Sequence, residues 1–358
     1  MKKIVLTGGG TAGHVTPNIA LLPALQAAGY EIAYVGSYEG IEKKLIADFN
    51  IPYTGISTGK FRRYLDPKNF SDPFRVMKGF VEARNYLKNY QPDVVFSKGG
   101  FVSVPVVRAA ASLHIPCIIH ESDMTPGLAN KLCIPVAEKV CCNFPETMKN
   151  IPADKAVLTG SPIRAELAEG SKLAGLNMCG FTANKPVIMV IGGSLGAANV
   201  NKAVRDALPK LLEDFKVVHL CGKDKIDYLL LNTPGYKQFE YIKAELKDIF
   251  AMADVVISRA GANAICELLA LKKPNILIPL PAASSRGDQL LNAASFEAQG
   301  YSIVLNEDDI TTNLLVDKVH ELYFNRQNYV AAMSKSHQMD AVKTIMELIN
   351  AAADKKTN

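Results

Sequence analysis

One pattern recurs along this chain and restricts its fold more than any other: a short β-branched run, a glycine-rich turn and then a helical stretch. The first instance is residues 1–17, MKKIVLTGGGTAGHVTP, and comparable turns follow the apolar runs at residues 93–97, 185–191 and 254–258. Short, wholly apolar runs are typical of buried parallel strands. Their alternation with helices predicts an α/β fold with ligand sites beyond the carboxyl ends of the strands.

The pattern occupies the chain in two series, which predicts two Rossmann-like domains. A chain of 358 residues can form two hydrophobic cores. We expect an N-terminal domain over residues 1–160 and a C-terminal domain over 161–339, with a terminal helix at about 340–358 that packs back on the first domain. Two such sheets facing each other would form one deep ligand cleft.

Composition excludes several classes of protein. The net charge of +5 does not indicate a nucleic-acid-binding protein. No apolar stretch approaches the roughly 18 residues of a membrane span, and the run from Ile4 is too short for a signal peptide. The seven cysteines form no C-x-x-C pair, which favours buried, reduced thiols in a cytosolic protein. We expect neither a metal ion nor a cofactor.

The first glycine turn is a candidate site for an anionic or polar ligand, because N–H groups at a helix start lack backbone partners. A dinucleotide site is the usual interpretation, but the glycines do not follow G-x-G-x-x-G. The second predicted strand also ends in Gly36, Ser37 and Tyr38, without an acidic residue for a ribose. His14, in the same turn, is a candidate for acid–base chemistry.

Seven motifs give the chain a specific resemblance along essentially its whole length. They are, in order, GGTAGHVTP, SKGGFVSVP, IHESDMTPGLANK, TGSPIR, GGSLGA, SRAGANAICE and GDQLLNA. This series resembles the MurG family, the bacterial N-acetylglucosaminyltransferases of peptidoglycan synthesis. The resemblance implies a GT-B fold and an inverting transfer of N-acetylglucosamine from UDP-N-acetylglucosamine (UDP-GlcNAc) to undecaprenyl-diphospho-N-acetylmuramoyl-pentapeptide, the step from lipid I to lipid II. It also implies a peripheral enzyme on the cytoplasmic face of the cell membrane, with other cell-wall synthesis proteins as candidate partners.

The resemblance places UDP-GlcNAc in the C-terminal domain. Ser194 and the amides of the third glycine turn would hold the diphosphate as charge grows on it. Arg164 would contact the donor, and Glu267 would accept the ribose hydroxyls. A structural interpretation of each feature stays open. The glycine turn would be a simple tight turn, Arg164 a solvated linker residue, and Glu267 a partner of the helix dipole. The chain has no D-x-D pair, so donor binding is expected to be metal-independent. The other implied donor contacts are Ile242 on a predicted strand at residues 239–242, Ala262, Asn263, Ala264, Asp288 and Gln289.

The resemblance places the acceptor in the N-terminal domain. His14 is the candidate general base, since its reference pKa of about 6.5 suits proton transfer at neutral pH. A histidine that only hydrogen-bonds the loop is the competing interpretation. Glu121, with His120, is a weaker candidate base, because a buried strand-end pair more often orients loops. The other implied substrate contacts are Thr11, Ala12, Gly13 and Asp123.

Two of these positions depart from the pattern of better-known relatives. Asp123 stands where they place an asparagine, and Asp288 stands where many carry a glutamine. A carboxylate accepts hydrogen bonds from a sugar but cannot donate them. The roles of both aspartates therefore stay open.

Residues 60–78 interrupt the α/β rhythm with basic and aromatic side chains, before a helix predicted at residues 77–89. Such a segment suits a peripheral membrane contact, because basic side chains bind anionic lipid and aromatic ones anchor at the interface. A solvated surface loop is the competing interpretation.

Two other functions are compatible with the residues. One is a GT-B transferase or epimerase that acts on a soluble UDP-sugar, and the other is a nucleotide-sugar-binding protein without turnover. Product analysis with soluble and polyprenyl acceptors distinguishes all three.

Overall fold

A computed structural model describes residues 1–59, 68–192, 197–282, 287–336 and 340–357, without the side chains of residues 68–73 and 356–357. The chain divides into two compact units, Met1–Arg164 with Asp340–Asn358, and Ala165–Met339. Within the described ranges, no helix combines the length and the apolar character needed to cross a membrane. All seven cysteines are free and buried.

The first unit is a parallel sheet of seven strands in the order β3-β2-β1-β4-β5-β6-β7. The central pair aligns Ile4 with Val94 and Thr7 with Ser97, so both strands end at the same level. The strands are β1 Lys3–Thr7, β2 Glu31–Ser37, β3 Tyr53–Ile56, β4 Val94–Ser97, β5 Cys117–Glu121, β6 Lys139–Cys142 and β7 Ala156–Leu158. The helices are α1 Thr16–Ala27, α2 Ile41–Ile46, α3 Lys68–Tyr90, α4 Ser103–Ser112, α5 Leu128–Cys133 and α6 Pro145–Met148.

The second unit is a parallel sheet of six strands in the order β10-β9-β8-β11-β12-β13. Its strands are β8 Val187–Ile191, β9 Lys216–Leu220, β10 Tyr236–Phe239, β11 Val255–Ser258, β12 Asn275–Leu277 and β13 Ser302–Val304. Its helices are α7 Lys172–Cys179, α8 Ala198–Asp214, α9 Leu246–Met252, α10 Ala262–Ala270, α11 Asp288–Ala298, α12 Thr312–Phe324 and α13 Arg326–Ser334. The predicted α/β class with two Rossmann-like domains is confirmed.

The last helix, α14 Ala341–Thr357, belongs to the first unit. Ile345 and Ile349 are fully buried in one hydrophobic cluster with Leu21 and Leu25 of α1. The C-terminal segment therefore completes the core beneath the N-terminal helix.

Several elements differ from the sequence prediction. The strand predicted at residues 239–242 lies three residues earlier, as β10, because Gly235 turns the chain with a φ of 80° and Tyr236 and Gln238 then alternate inward. Helix α3 begins at Lys68, well before the predicted residue 77. Helices α6, α7 and α13 were not predicted from the sequence.

Candidate functional site

The glycine turns after β1 and β4 pack against each other. A Cβ added at Gly100 would lie 2.3 Å from the Gly9 carbonyl oxygen. A Cβ added at Gly10 would lie 2.4 Å from a ring carbon of Phe101. Both glycines also have positive φ angles, 84° and 85°, which side-chain-bearing residues adopt only with strain. The sequence therefore needs glycine at these positions to bring two strand ends together.

His14 lies at this junction, at the end of the short 3-10 turn Ala12–His14 that leads into α1. Its Nδ1 lies 2.9 Å from the Thr11 hydroxyl. Burial and the nearby charge of Lys98 lower the His14 pKa to about 4, although a hydrogen bond to the Gly9 backbone and the charge of Glu42 raise it. The imidazole is therefore neutral at pH 7. The predicted substrate contacts that precede it are Thr11 and Ala12, which are exposed, and Gly13, which is half-buried.

Glu42 anchors the first glycine turn, and sequence reasoning missed it. This fully buried carboxylate accepts hydrogen bonds from the Gly10 amide at 3.1 Å and the Ser37 amide at 2.9 Å, and also from the Ser37 hydroxyl. Neighbouring parallel strands end at one sheet edge, so an acid at the start of the helix after β2 can reach the turn after β1. That spacing is the signal that could have revealed it.

The weaker candidate base, Glu121, is occupied by its own loop. Its two oxygens accept hydrogen bonds from the amides of Asp123 at 2.9 Å and Gly127 at 3.0 Å, and from the Asn130 side chain at 2.8 Å. The fully buried His120 ring contacts the Gly160 carbonyl at 2.9 Å, and burial and the charge of Lys98 lower its pKa well below the usual value. This geometry favours the loop-orienting interpretation of the pair.

In the second unit, the predicted diphosphate turn is described only at its two ends. A Cβ added at Gly192 would lie 2.7 Å from the Ala197 amide nitrogen, so the two ends of this turn lie close together. Ser194 lies outside the described residues.

The turn after β11 is held from three sides. The Ala260 carbonyl accepts a hydrogen bond from Asn292 of α11 at 3.1 Å. Arg259 donates to the Ile278 carbonyl at 3.0 Å and forms a buried ion pair with Glu307. These contacts fix the start of α10 at the carboxyl edge of the sheet.

Most of the predicted donor residues lie at this same edge. Ala262, Asn263 and Ala264 form the first turn of α10, and the half-buried Glu267 lies farther along it. Asp288 begins α11, and Gln289 accepts a hydrogen bond from the Leu280 amide at 3.1 Å. Since β11 and β12 are neighbours, the structure brings the starts of α10 and α11 together. Ile242 is buried just after β10, and the half-buried Arg164 ends the continuous segment of the first unit.

Both units match one known enzyme family. Residues 4–142 match the glycosyltransferase family 28 N-terminal domain, and residues 187–349 match the glycosyltransferase family 28 C-terminal domain. The chain belongs to this family. A protein of Lachnospira eligens is 65% identical over 98% of this chain and 99% of its own length, and one of Lachnoclostridium phytofermentans is 64% identical over 98% of both chains. Both are named UDP-N-acetylglucosamine–N-acetylmuramyl-(pentapeptide) pyrophosphoryl-undecaprenol N-acetylglucosamine transferase.

Solved structures agree with this assignment. The crystal structure of Acinetobacter baumannii MurG matches 98% of this chain and 100% of its own, with a TM-score of 0.77 and 29% identity. The predicted membership of the MurG family is confirmed. A putative UDP-N-acetylglucosamine 2-epimerase from Listeria monocytogenes also matches, with a TM-score of 0.72, but at 13% identity this likeness concerns the fold alone.

Proposed function

We propose that this chain transfers N-acetylglucosamine from UDP-GlcNAc to undecaprenyl-diphospho-N-acetylmuramoyl-pentapeptide, with inversion, and so converts lipid I to lipid II. One observation carries the proposal: relatives named for this transfer are 64–65% identical across 98% of the chain, through both units. The geometry of the strand ends supports the roles that we propose for particular residues.

The second unit would bind the donor. In this proposal the amides at the start of α8, with Ser194 and Arg164, hold the diphosphate. As UDP leaves, negative charge grows there, and pre-oriented N–H dipoles stabilise that charge more than they stabilise the ground state. Glu267 of α10 would accept the ribose hydroxyls, and Ile242 would contact the uracil. The fixed starts of α10 and α11 support this placement, because a rigid edge lowers the cost of ordering the ligand.

The first unit would bind the acceptor, with His14 as general base. A base must be unprotonated before reaction, and the lowered His14 pKa of about 4 meets that requirement at pH 7. The tautomer that carries its proton on Nδ1 can donate to the adjacent Thr11 hydroxyl, 2.9 Å away. Nε2 is then the unprotonated ring nitrogen, and in this proposal it accepts the proton of the attacking sugar hydroxyl.

The test is donor-dependent labelling of a lipid-linked muramyl-pentapeptide by the purified chain. UDP-GlcNAc should label it, whereas UDP-glucose, UDP-N-acetylgalactosamine and TDP-glucose should not. His14→Gln should lower kcat by roughly 10²–10⁴-fold while UDP binding persists, the usual contribution of a general base. An unchanged kcat in this variant would remove His14 from the role. Transfer to a soluble acceptor alone would favour the alternative transferase, and binding without any turnover would favour the binding protein.

We also propose that the first unit binds the membrane through the start of α3. Of the basic and aromatic residues predicted for this contact, Lys60, Phe61, Arg62, Arg63 and Tyr64 lie outside the described residues, as do the side chains of Lys68 and Phe70. On the described part, Phe74, Met77 and Val81 are 78%, 63% and 53% exposed. Their spacing of three and four residues places them on one helix face, beside the exposed Arg75 and Lys78.

The packing of α3 supports this orientation. A Cβ added at Gly79 would lie 1.9 Å from the Ser57 carbonyl oxygen. The helix face that carries Gly79 is therefore packed against the end of β3, and the face that carries Phe74, Met77 and Val81 is a different one. Glu82 reinforces the contact by accepting a hydrogen bond from the Ser57 amide at 2.6 Å. The helix cannot rotate freely, and its apolar stripe stays outward.

Liposome sedimentation tests the membrane contact. Replacing Arg75 and Lys78 by glutamine should weaken binding to anionic vesicles by about 1 kcal/mol per charge removed, and Phe74→Ser should weaken it further. Leu229→Ser is the matched control, because Leu229 is 94% exposed in the second unit. Equal sedimentation of the wild type and the α3 variants would refute the contact.

A further inference from the structure

The turn after β4 carries a buried lysine side chain, Lys98, in the first unit. Lys98 is only 1% exposed, and its ammonium group donates a hydrogen bond to the Ser122 hydroxyl. Its backbone amide donates to the Thr7 carbonyl at 2.9 Å, which continues the pairing of the two central strands. Removing an ammonium group from water costs several kcal/mol, and an apolar side chain of similar length would fill the same space without that cost. The charge itself therefore calls for an explanation.

Lys98 is close to His14 through the packed glycine turns. A Cβ added at Gly8 would lie 2.5 Å from the His14 carbonyl oxygen on one side and 3.2 Å from the Lys98 Cβ on the other. A Cβ added at Gly100 would lie 3.3 Å from His14 Nδ1. The turn that carries Lys98 thus lies directly against the imidazole.

Two charged groups act on His14 from neighbouring elements, Lys98 from the β4 turn and Glu42 from α2. Burial is the largest cause of the lowered His14 pKa, and the charge of Lys98 is the second largest. The charge of Glu42 raises that pKa. Lys98 also lowers the pKa of His120 on β5. A buried cation beside two histidines opposes protonation of both, because charge repulsion is poorly screened in the interior.

We propose that Lys98 is a positioning residue for the reaction: its buried ammonium keeps the His14 imidazole in the unprotonated form that can accept the proton of the attacking hydroxyl. The catalytic half of this inference rests on the proposed role of His14 as the base. The electrostatic half does not, and it can be measured without substrate.

The experiment is an NMR titration of the full chain with isotope-labelled histidine. The chain has six histidines, and the His14 signal is assigned by its loss in His14→Gln. In the wild type, about one-tenth of His14 should be protonated at pH 5, as its pKa of about 4 requires. Lys98→Met should raise the pKa by about one pH unit, so that about half is protonated at pH 5.

Three further variants separate charge from structure. Lys98→Gln can still hydrogen-bond Ser122 but lacks the charge, so it should behave as Lys98→Met does and also serves if that variant does not fold. Ser122→Ala removes the hydrogen bond and keeps the charge, so its titration should match the wild type. Lys149→Met, at an exposed lysine of the same unit, should also match it. An unmoved titration in both Lys98 variants, or an equal rise in Ser122→Ala, would overturn the inference.

Kinetics then test the catalytic half. The acid limb of kcat/KM should move to higher pH in Lys98→Met by the same amount as the titration. A moved titration with an unmoved acid limb would show that Lys98 controls His14 while His14 is not the base, and would overturn the catalytic half alone.

Discussion

His219 allows the electrostatics of the second unit to be tested quantitatively. It is fully buried on β9, with Nδ1 at 2.9 Å from the Tyr236 hydroxyl and Nε2 at 3.0 Å from Oδ1 of Asn201. Burial and the charge of Arg205 lower its pKa from 6.5 to about 3. The ring is therefore neutral in the folded chain at every pH at which the enzyme would work.

This lowered pKa makes the unit less stable in acid. Below about pH 6.5 the unfolded chain binds a proton at His219, whereas the folded chain does so only near pH 3. Folding stability is thus lost as pH falls from 6.5 towards 3, at up to about 1.4 kcal/mol per pH unit. Between pH 7 and pH 5, this one residue should remove about 2 kcal/mol from the free energy of unfolding.

The variant His219→Gln isolates this contribution, because its amide offers an NH₂ donor group and a carbonyl acceptor but does not titrate. The free energy of unfolding is measured by urea denaturation with circular dichroism, at pH 7 and at pH 5. The loss between the two pH values should be about 2 kcal/mol smaller in the variant, whatever its stability at pH 7. His114→Asn is the control, since that ring is exposed and asparagine tolerates the left-handed φ of 57°. Equal losses in wild type and His219→Gln would refute the reasoning.

Two substitutions in the first unit test its packed turns by urea denaturation. Gly100→Ala places a Cβ 2.3 Å from the Gly9 carbonyl oxygen. Gly29 has a similar φ of 75° but open space around it, so Gly29→Ala is the control. Gly100→Ala should lower the free energy of unfolding by about 1–3 kcal/mol more than Gly29→Ala does. Equal costs would mean that the turns separate easily. Glu42→Gln places an NH₂ group where a carboxylate oxygen now accepts from the Gly10 or Ser37 amide. It should therefore lower the free energy of unfolding by about 2–3 kcal/mol. The exposed Glu39→Gln should cost almost nothing, and a similar loss in both would refute the anchoring role of Glu42.

The sequence predicted those features of the fold that are encoded locally. Residues 4–6 of β1 are all apolar because helices cover both faces of a parallel sheet, and the next glycines are needed where the turn has positive φ. Strand ends and helix starts follow from such signals, and with them the edge at which α10 begins. The position of β10 did not follow, because its short run alternates with polar residues and its start depends on the turn at Gly235.

Local sequence signals do not reveal the charged groups around the candidate base. Glu42 and Lys98 lie 28 and 84 residues from His14 along the chain, and only the strand order β2-β1-β4 brings them to it. In the sequence, Glu42 is a polar residue two positions after Gly40, and Lys98 is a polar residue next to Gly99. Their effect on His14 depends on their burial. Lysine and glutamate are mostly exposed in proteins, so the local sequence does not predict that these two are buried.

The opposite charges of Glu42 and Lys98 distinguish electrostatic control of His14 from simple loosening of the turns. Glu42 raises the His14 pKa and Lys98 lowers it, so Glu42→Gln should lower the His14 pKa further while Lys98→Met raises it. Loosening would admit more water to the half-buried imidazole, and hydration moves such a histidine toward its ordinary pKa, upward in both variants. The same histidine titration measures both variants. Opposite shifts therefore require that fixed charges act on a site that stays closed, and two upward shifts would contradict that account.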